Sequence, residues 1–563
     1  MATRFITPAI WLVAVLVLAW PLGKYMAGLM DESTAGRARP RGGLESALRR
    51  ALGPAWDTDQ DWKAYVVSML AFNAVMFGVA FLVLLLQRWL PLDPDGKGAL
   101  EPSLIFNTVA SFTSNTNLQH YAGEQAMSYF SQLFALMWLQ FVSAATGIAA
   151  LAGLSRALGG RTKIGNFYRD VSRATFFLLL PLALVLGVIL AVLGIPMTLH
   201  GAAVAHTLEG AVQTIARGPV AAFVAIKQLG TNGGGFFGPN STHPFENPTY
   251  WTNVIENGAI LLVPMACVWM FGRLAGRLRD AVVILAVMGI LLVGGITAAN
   301  RLEARETPAL TTLPVRKAPE NLEGKELRFG AGAGPTWAVS TTATSNGSVD
   351  AMHDSLNPLT GLVPMVGMWL NVIFGGVGVG MINMFLFIVV AVFIAGMMVG
   401  RTPEYLTRKV EAREMKLALL ALLIHPLFIL GGTALFAATS WGTHTVLNAA
   451  SHGFSEILYE FSSATANNGS GFEGLGDHTI PWNVSTGLVM LLARFIPIIA
   501  PLAIGGSLAA KKPTPETSGT FRTDGWLFGA VLLGTVLIVG ALLFMPVAVL
   551  GPIAEHLSLG GAR

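Results

Sequence analysis

The sequence is poor in charged residues. Only 12% of its 563 residues are Asp, Glu, Lys or Arg, about half of the ~25% that is typical of soluble domains. Hydrophobic residues make up 53% of the chain, and apolar runs of about 20 residues recur along its whole length. This composition excludes an ordinary soluble protein and predicts an integral membrane protein.

Cysteine and nucleotide-binding motifs are also scarce. Cys267 is the one cysteine, which excludes a disulfide framework and a thiolate metal cluster. The sequence has no G-x-x-x-x-G-K-[ST] motif and no Asp-Lys-Thr-Gly phosphorylation motif. We therefore predict no catalytic site, no cofactor and no nucleic-acid partner for this chain.

Four short polar turns lie between the apolar runs. The most distinctive is Gly230-Thr231-Asn232-Gly233-Gly234-Gly235. Taken at positions 115, 232, 346 and 468, one asparagine in each turn gives spacings of 117, 114 and 122 residues. A near-constant period indicates a repeated structural unit. The three related turns are Thr113-Ser114-Asn115-Thr116-Asn117, Thr344-Ser345-Asn346-Gly347-Ser348 and Ala466-Asn467-Asn468-Gly469-Ser470.

The residue types in these turns predict an ion selectivity filter. A cation that crosses a bilayer exchanges its water shell for protein oxygens, and rings of backbone carbonyls supply them in potassium channels. Glycine permits the required dihedrals, Thr and Asn add side-chain oxygens, and short helices that end at the turns direct their negative dipole ends at the ion. None of the turns contains Asp or Glu, which a hard divalent ion normally recruits, so we predict a monovalent cation. The alternative, ordinary turns between helices, does not account for the common period.

The apolar runs predict an all-α integral membrane fold with ten spanning helices. Four pseudo-repeated membrane–pore helix–membrane units surround a central selectivity filter, with one extra helix at each end. The predicted segments are residues 1–62 (first helix and cytoplasmic loop), 63–173, 174–280, 281–416 and 417–512 (the four repeats), and 513–563 (last helix). The predicted pore helices are Ser103–Phe112, Pro219–Gln228, Pro335–Ala343 and Gly453–Ser463.

Basic residues predict the orientation of the chain. Only Arg4 precedes the first span, whereas Arg37, Arg39, Arg41, Arg49 and Arg50 follow it. This order argues against a cleaved signal peptide, and the positive-inside rule places both termini on the outer side. The outer loop before the third pore helix departs from the rule, as long loops can; it carries Arg301, Arg305, Arg316, Lys317, Lys325 and Arg328.

The run from Gly361 to Gly400 is too long for one plain span and too short for two. Because the third turn is outside and a basic cluster from Arg401 onward is inside, the run must cross once. Irregular backbone at membrane depth is tolerated where it faces protein or a water-filled path. We expect a broken helix that forms a gate below the filter, with Arg401 as a positive barrier at the cytoplasmic mouth; the alternative is close helix packing. The glycines of the break are Gly375, Gly376, Gly378 and Gly380.

Three ionisable residues within the spans are functional candidates because charge is costly to bury in a membrane. Arg494 is expected either to line or screen the ion's route or to tie helix ends together. His425 precedes Pro426 and is expected to satisfy a carbonyl that the proline frees. Glu256 lies near the start of its helix and is expected at the interface.

Several longer motifs resemble the A subunit of the bacterial Kdp potassium-translocating ATPase. The resemblance covers essentially the whole chain. It rests on Phe106-Asn107-Thr108, Asn115-Thr116-Asn117-Leu118-Gln119, the Gly230–Phe237 run, His243-Pro244-Phe245-Glu246-Asn247-Pro248, Gly400-Arg401-Thr402-Pro403-Glu404-Tyr405-Leu406 and Ala466-Asn467-Asn468-Gly469-Ser470.

This resemblance implies a potassium-binding subunit in a bacterial inner membrane. It implies the fold of the superfamily of potassium transporters and a complex with a P-type ATPase (the B subunit), which binds ATP, with a C subunit and often with a small F subunit. It maps the K+ site onto the turns. The predicted filter residues are Thr113, Ser114, Asn115, Thr116, Asn117, Gln119, Thr231, Asn232, Gly233, Gly234, Thr344, Ser345, Asn346, Gly347, Asn467, Asn468 and Gly469.

Two other functions stay open from the residues alone. One is a Trk/Ktr-like potassium channel or ion-coupled transporter, and the other is a membrane scaffold whose turns bind nothing. The asparagine-rich turns and the Arg401–Leu406 motif favour the pump subunit.

Overall fold

The computed structural model describes residues 2–31, 42–305, 320–398, 400–515 and 522–560. Arg37, Arg39, Arg41, Arg316 and Lys317, which the orientation argument uses, lie outside the described residues. Ten helices in the described part of the chain are long and apolar enough to cross a membrane, which confirms the predicted number. They are Phe5–Leu29, Trp62–Leu85, Ser131–Leu158, Phe167–Val192, Tyr250–Leu274, Leu278–Glu303, Val379–Met398, Ala412–Ala437, Ile480–Ala510 and Trp526–Leu559.

The helices of the first half include two spans that continue through π-helical turns, at Ser131–Met137 and Ala174–Leu179. In chain order they are α1 (Ala2–Leu29), α2 (Gly43–Leu52), α3 (Pro54–Asp57), α4 (Trp62–Leu85), α5 (Pro102–Thr113), α6 (Gly123–Ala126), α7 (Trp138–Leu158), α8 (Phe167–Arg173), α9 (Leu180–Val192), α10 (Val220–Leu229), α11 (Tyr250–Leu274) and α12 (Leu278–Glu303).

The helices of the second half end with a π-helical turn at Val549–Ile553 and a short terminal helix. In chain order they are α13 (Ala333–Ala343), α14 (Pro358–Leu370), α15 (Val379–Met398), α16 (Ala412–Ala437), α17 (Ser440–Thr443), α18 (Ala450–Ala466), α19 (Ile480–Ala510), α20 (Trp526–Ala548) and α21 (Ala554–Gly560).

The spanning helices of the four repeats divide into an inner and an outer set. In the second span of each repeat, 56–78% of the most apolar window is buried, against 22–33% in the first span of each repeat. The inner set therefore surrounds the centre of the molecule, and the outer set presents apolar side chains such as Val75, Val185 and Leu427 outward. Exposed apolar side chains on long helices suit a lipid environment.

Four shorter helices, α5, α10, α13 and α18, lie at the predicted pore-helix positions, and each precedes one polar turn. Their ends differ from the predicted ends by at most three residues. The start of α5 has a defined cap: Pro102 occupies its first turn, and the Glu101 carboxylate accepts a hydrogen bond from the Leu104 amide at 2.9 Å. Proline there forfeits no hydrogen bond.

The predicted break in the third repeat is confirmed. Helix α14 ends at Leu370, Asn371 adopts a left-handed φ of 48°, and α15 starts at Val379. The intervening loop is buried and includes Gly375 and Gly378, whose φ angles are 55° and 79°. Glycine adopts such angles at little cost, so the glycine cluster ends the helix within the buried interior.

Two small antiparallel hairpins were not predicted from the sequence. Strand β1 (Ala203–His206) pairs with β2 (Val212–Ile215), with Ala203 opposite Ile215. Strand β3 (Glu404–Tyr405) pairs with β4 (Arg408–Lys409) directly after α15. Both are too short to produce a clear alternation of apolar and polar residues.

Candidate ion-binding site

Each pore helix runs into one polar turn, and the four turns share one backbone geometry. The amide of the central residue of each turn donates to the carbonyl oxygen five residues earlier, in the last part of the pore helix, at 2.9 Å in every case. The four pairs are Thr116 to Ser111, Asn232 to Lys227, Asn346 to Thr341 and Asn468 to Ser463.

Left-handed residues lie on both sides of each central residue. This pattern changes the alignment of the first turn by one position, because Thr116 rather than Asn115 corresponds to Asn232, Asn346 and Asn468. The central residues are then 116, 114 and 122 residues apart. The left-handed pairs are Asn115 and Asn117, Thr231 and Gly233, Ser345 and Gly347, and Asn467 and Gly469.

Glycine is required in three of the turns for a second reason, close approach between neighbours. A Cβ on Gly233, Gly347 or Gly469 would overlap the carbonyl oxygen of Asn346, Asn468 or Thr116, respectively. The turns therefore touch in the order second, third, fourth and first, as expected for a ring around one axis.

The first turn has Asn117 where the other three have glycine. A Cβ on Gly234 would lie 2.7 Å from the Asn117 Cβ, so the missing side chain of Gly234 leaves room for that asparagine. The third and fourth turns have Ser348 and Ser470 at the position of Gly234. Gly234 in the second turn thus makes room for the larger Asn117 in the first.

The asparagine amide groups join neighbouring turns. Five of them donate from Nδ2 to another repeat, so these side chains hold the ring together as well as carrying oxygens; Asn117 Nδ2 has no partner within the described residues. The contacts run from Asn115 to the Thr231 carbonyl at 2.9 Å, from Asn232 to Asn115 Oδ1 at 2.6 Å, from Asn346 to the Lys227 carbonyl at 3.3 Å, from Asn467 to Thr116 Oγ1 at 2.9 Å and from Asn468 to the Thr341 carbonyl at 2.9 Å.

Four equivalent carbonyl oxygens have no donor in the part of the chain that the structure describes. They belong to Thr116, Asn232, Asn346 and Asn468, and all four residues are fully buried. Buried backbone oxygens are almost always paired in proteins. Four unpaired ones, one from each repeat, are suited to coordinating a cation that has lost its water.

The other predicted filter residues support the turns from behind or from the side. Gln119 clamps the second turn: its Oε1 accepts the Gly235 amide at 2.7 Å and its Nε2 donates to the Gly235 carbonyl at 3.0 Å. Ser114 Oγ lies 2.7 Å from Thr116 Oγ1. Thr113 is the last residue of α5, and Thr344 Oγ1 donates to the Ser340 carbonyl at 2.8 Å.

The intramembrane loop between α14 and α15 is attached to two of the turns. The Val377 amide donates to Thr231 Oγ1 at 3.0 Å, the Gly375 amide donates to the Ala343 carbonyl at 2.8 Å, and Ser345 Oγ donates to Asn371 Oδ1 at 2.7 Å. Gly376 faces both turns, since a Cβ there would lie 3.8 Å from Ser345 Cβ and 4.0 Å from Thr231 Oγ1. Of the predicted gate glycines, Gly375 and Gly376 therefore lie against the turns, whereas Gly378 packs against Gly147 on α7 and Gly380 against Phe374.

Two arginines have different relations to this loop. Arg494 on α19 is buried, its Nη2 has no hydrogen-bond partner, and its Nη1 lies 3.4 Å from where a Cβ of Gly376 would be. Arg401 is exposed beyond the far end of α15, a helix of 20 residues that is about 30 Å long. The structure thus brings Arg494 to the loop and does not bring Arg401 there.

A buried polar network behind the second turn was missed by the sequence analysis. Lys227 on α10 forms an ion pair with Glu246 and donates to Asn240 Oδ1 at 2.7 Å. Asn240 Nδ2 in turn donates to the Gly233 carbonyl at 2.7 Å. A lysine inside an apolar pore helix, together with the His243–Pro248 motif, was the available signal.

Glu256 and His425 occupy buried positions. Glu256 was expected at the interface, but it is fully buried on α11 and accepts a hydrogen bond from Gln228 Nε2 at 2.8 Å. His425 satisfies a carbonyl, as expected, but the carbonyl is that of Met368 at the end of α14, at 2.9 Å. It is the helix break, and not Pro426, that frees this oxygen.

Comparison with known proteins identifies the family. The family model described as "Potassium-transporting ATPase A subunit" matches residues 9–557. Similar curated proteins, each named potassium-transporting ATPase potassium-binding subunit, come from Alicyclobacillus acidocaldarius (48% identity; 98% of this chain and 99% of the relative), Geobacillus kaustophilus (46%; 97% of each) and Parabacteroides distasonis (44%; 99% and 100%).

A solved structure shows the same fold at low sequence identity. The potassium transporter TrkH from Vibrio parahaemolyticus aligns with a TM-score of 0.52 and 13% identity, over 89% of this chain and 98% of that chain. This likeness concerns the fold alone. The match of the family model to nearly the whole chain, with relatives at 44–48% identity, shows that the chain belongs to the potassium-transporting ATPase A subunit family.

Proposed function

We propose that this chain is the potassium-binding and translocating subunit of an ATP-driven K+ uptake pump. The observation that carries the proposal is the ring of four buried, unpaired carbonyl oxygens at Thr116, Asn232, Asn346 and Asn468. The chain has no nucleotide motif, so K+ is its cargo and ATP hydrolysis belongs to a partner protein.

Selectivity for K+ follows from the neutral oxygens of the ring. The pore helices α5, α10, α13 and α18 end at the turns, so their negative dipole ends favour a cation. No carboxylate belongs to the turns, which disfavours hard divalent ions. Close backbone contacts between the turns keep the ring from shrinking around a smaller ion.

The loop at Gly375–Gly380 acts as a gate in this proposal. Its hydrogen bonds to the turns at Thr231 and Ser345 support this role. A pump needs such an obstruction, because an open filter would let K+ return down its gradient. With the direct route obstructed, the ion leaves sideways toward the partner ATPase.

The proposed complex is that of the Kdp pump in a bacterial inner membrane. Its other members are the P-type ATPase (the B subunit), the C subunit and the small F subunit. Both termini of this chain lie on the outer side. Support for this orientation comes from the basic residues at the opposite helix ends, among them Arg49, Arg161, Arg273 and Lys511.

The experiment that tests the proposal is gentle purification of the tagged chain, followed by an ATPase assay over a range of K+ concentrations. We expect a P-type ATPase to copurify and its activity to rise with K+ and to respond far less to Na+. Passive K+ flux from the chain alone, without a partner and without ATP, would instead favour a Trk/Ktr-like channel.

A further inference from the structure

Three potential metal ligands from two repeats meet just beyond the turns. His120 follows the first turn, Glu460 lies on α18, and Asp477 follows the fourth turn. His120 Nε2 is 3.2 Å from Glu460 Oε1 and 3.8 Å from Asp477 Oδ2, and the three ligand atoms all lie within 4.8 Å of one another.

The imidazole is held in a fixed orientation by Asn483. Asn483 Nδ2 donates to Ser103 Oγ at 3.0 Å, so its Oδ1 is the atom that faces His120 Nδ1, at 2.7 Å. An amide oxygen can only accept, so Nδ1 carries a proton and Nε2 points at the two carboxylates. Metal-binding histidines are typically oriented in this way by a second partner on the other ring nitrogen.

The cluster has an excess of acidic over basic groups. Neither Glu460 nor Asp477 forms an ion pair with Lys or Arg within the described residues, so two carboxylates face one imidazole. The His120 side chain is fully buried and that of Glu460 is 2% exposed, whereas that of Asp477 is 25% exposed. A small cation could enter past Asp477 and would neutralise the excess.

We propose that His120, Glu460 and Asp477 form a binding site for a divalent transition-metal cation of the zinc class. Zinc takes one imidazole nitrogen and carboxylate oxygens at about 2.0–2.2 Å in tetrahedral geometry, which separates ligand atoms by roughly 3.3 Å. The observed separations of 3.2 and 3.8 Å are close to this value. The imidazole favours zinc over calcium or magnesium, which prefer oxygen ligands.

A proton on Nε2 is the competing occupant. Burial alone lowers the pKa of His120, but the charge of Asp477 and the hydrogen bond to Glu460 outweigh burial and raise this pKa to about 9. A metal ion must displace that proton, and the experiment separates the two occupants because only the metal is detected directly.

The position of the site gives it a consequence for transport. It bridges the first and fourth repeats at the seam where Gly469 approaches the Thr116 carbonyl. A bound divalent ion would fix this seam and add positive charge near the entrance to the filter. Zinc should therefore raise the K+ concentration needed for half-maximal transport.

The test uses the intact complex, stripped of metal with a chelator and then titrated with Zn2+, with bound metal measured by elemental analysis. The wild type and His478→Gln, which removes the exposed neighbouring histidine, should bind one more equivalent than His120→Gln or Asp477→Asn. His120→Cys, which keeps a zinc ligand, should retain the site. Co2+ should give the visible absorption bands of a tetrahedral site in the wild type and lose them in His120→Gln.

Equal zinc binding by the wild type, His120→Gln and Asp477→Asn would mean an adventitious ion only and would overturn the proposal. The absence of zinc binding in the wild type would also overturn it and would show that a proton occupies Nε2. If His120→Gln does not assemble, Asp477→Asn at the more exposed position carries the comparison. Because metal content is measured directly, the result is independent of whether the complex pumps K+.

Discussion

The glycine that follows the central residue of the second turn is subject to two constraints, a left-handed backbone and close contact with the third turn. Gly233 has a φ of +78°, and a Cβ there would overlap the Asn346 carbonyl oxygen; Gly330 has a similar φ of +74° but has nothing within 4 Å. Left-handed strain costs about 1–3 kcal/mol for a residue with a side chain. Gly233→Ala and Gly330→Ala should both carry that strain, but only Gly233→Ala should disturb the ring.

We therefore expect Gly233→Ala to lower the apparent K+ affinity about tenfold or more, which corresponds to ~1.4 kcal/mol. Gly233→Asp should have a larger effect, because it adds a charge. The measurement is ATPase activity against K+ concentration in the purified complex, with Gly330→Ala as the control. An unchanged affinity in Gly233→Ala would remove Gly233 from the ion site.

Positive charge beside the intramembrane loop is expected to hinder passive passage of K+. Arg494 approaches Gly376, whereas Arg401 lies at the far end of α15. Repulsion between like charges weakens with distance, so Arg494→Gln should allow more passive K+ flux than Arg401→Ser. Deletion of Gly375–Gly378 should leak most. Flux is measured in vesicles without ATP, and a leak in Arg401→Ser alone would place the barrier at the cytoplasmic mouth.

The sequence allowed the residues of the turns to be predicted, but not their alignment. Asn115 and Asn232 both look like the marker of a repeat, and the shared residue type hides a shift of one position. The backbone hydrogen bonds of Thr116 and Asn232, and the left-handed residues on both sides of each, show which residues are equivalent. The role of Gly234 was equally inaccessible, because it depends on the packing of Asn117 from another repeat.

At the scale of elements, the segment after the second turn acts as a strap that holds it. The strap, residues 236–248, includes Asn240, which donates to the Gly233 carbonyl, and Glu246, which pairs with Lys227 on α10. Removal of one partner from a buried ion pair typically costs about 3–5 kcal/mol. Lys227→Met should therefore lower both the thermal stability and the K+ affinity.

A second buried pair supplies the control for the strap. Lys325 and Glu303 are 2.6 Å apart and similarly buried, but the hydrogen bonds of their side chains go to Glu323, Asn321 and Asn357 and not to residues that hold a turn. Lys325→Met should cost similar stability and leave K+ affinity unchanged. The double variant Lys227→Met/Glu246→Gln should lose less stability than the two single changes added together. Equal effects of Lys227→Met and Lys325→Met on affinity would contradict a specific role for the strap.

The terminal helix α21 is attached to the fourth pore helix through a histidine. His452 on α18 contacts Glu555 Oε1 at 2.8 Å and Asp354 Oδ1 at 2.9 Å. Burial alone lowers the pKa of His452, but these hydrogen bonds outweigh it and raise the pKa to about 10. A raised pKa contributes stability that is complete below the unfolded value of about 6.5 and is lost as the pH rises through 10.

His452→Gln should accordingly lower the melting temperature most at pH 6, and the difference from the wild type should narrow between pH 6.5 and 10. Melting curves across this range give the measurement, and His444→Gln, at an exposed histidine, is the control. A difference that stays constant with pH would show that the His452 charge does not hold α21.

The positions of the helices are the part of the structure that the sequence predicts best. Apolar runs located all ten spanning helices, and the glycine cluster located the break between Leu370 and Val379. These features depend on local composition and on the thickness of the bilayer. The His120 cluster depends instead on a contact between distant parts of the chain, His120 with Glu460, which no local pattern encodes.

At the scale of the whole molecule, the four repeats are not equivalent, because within the described residues only the third has a broken helix. A cavity of about 50 Å³ begins at Ser345 and Gly376 beside the filter and extends past Asn383 to Phe544. It shares Trp369, Leu370, Gly540 and Phe544 with an apolar cavity of about 260 Å³ between α14 and α20. The two adjoining cavities lead from the turns to the surface between α14 and α20, so they offer a route sideways from the filter.

Ala421 allows this lateral route to be tested. It is buried on α16 and lines the cavity beside Leu422 and His425, whereas Ala434 on the same helix is exposed. Ala421→Phe should fill the passage and reduce ATP-driven K+ uptake about tenfold or more, equivalent to a barrier increase of ~1.4 kcal/mol. K+ binding should persist because the turns are untouched. It is measured as the increase in melting temperature that K+ produces. Ala434→Phe adds the same ring facing outward and should transport normally. If the two variants take up K+ at the same rate, the ion does not leave through this cavity, and the route past the intramembrane loop has to lead directly to the cytoplasm.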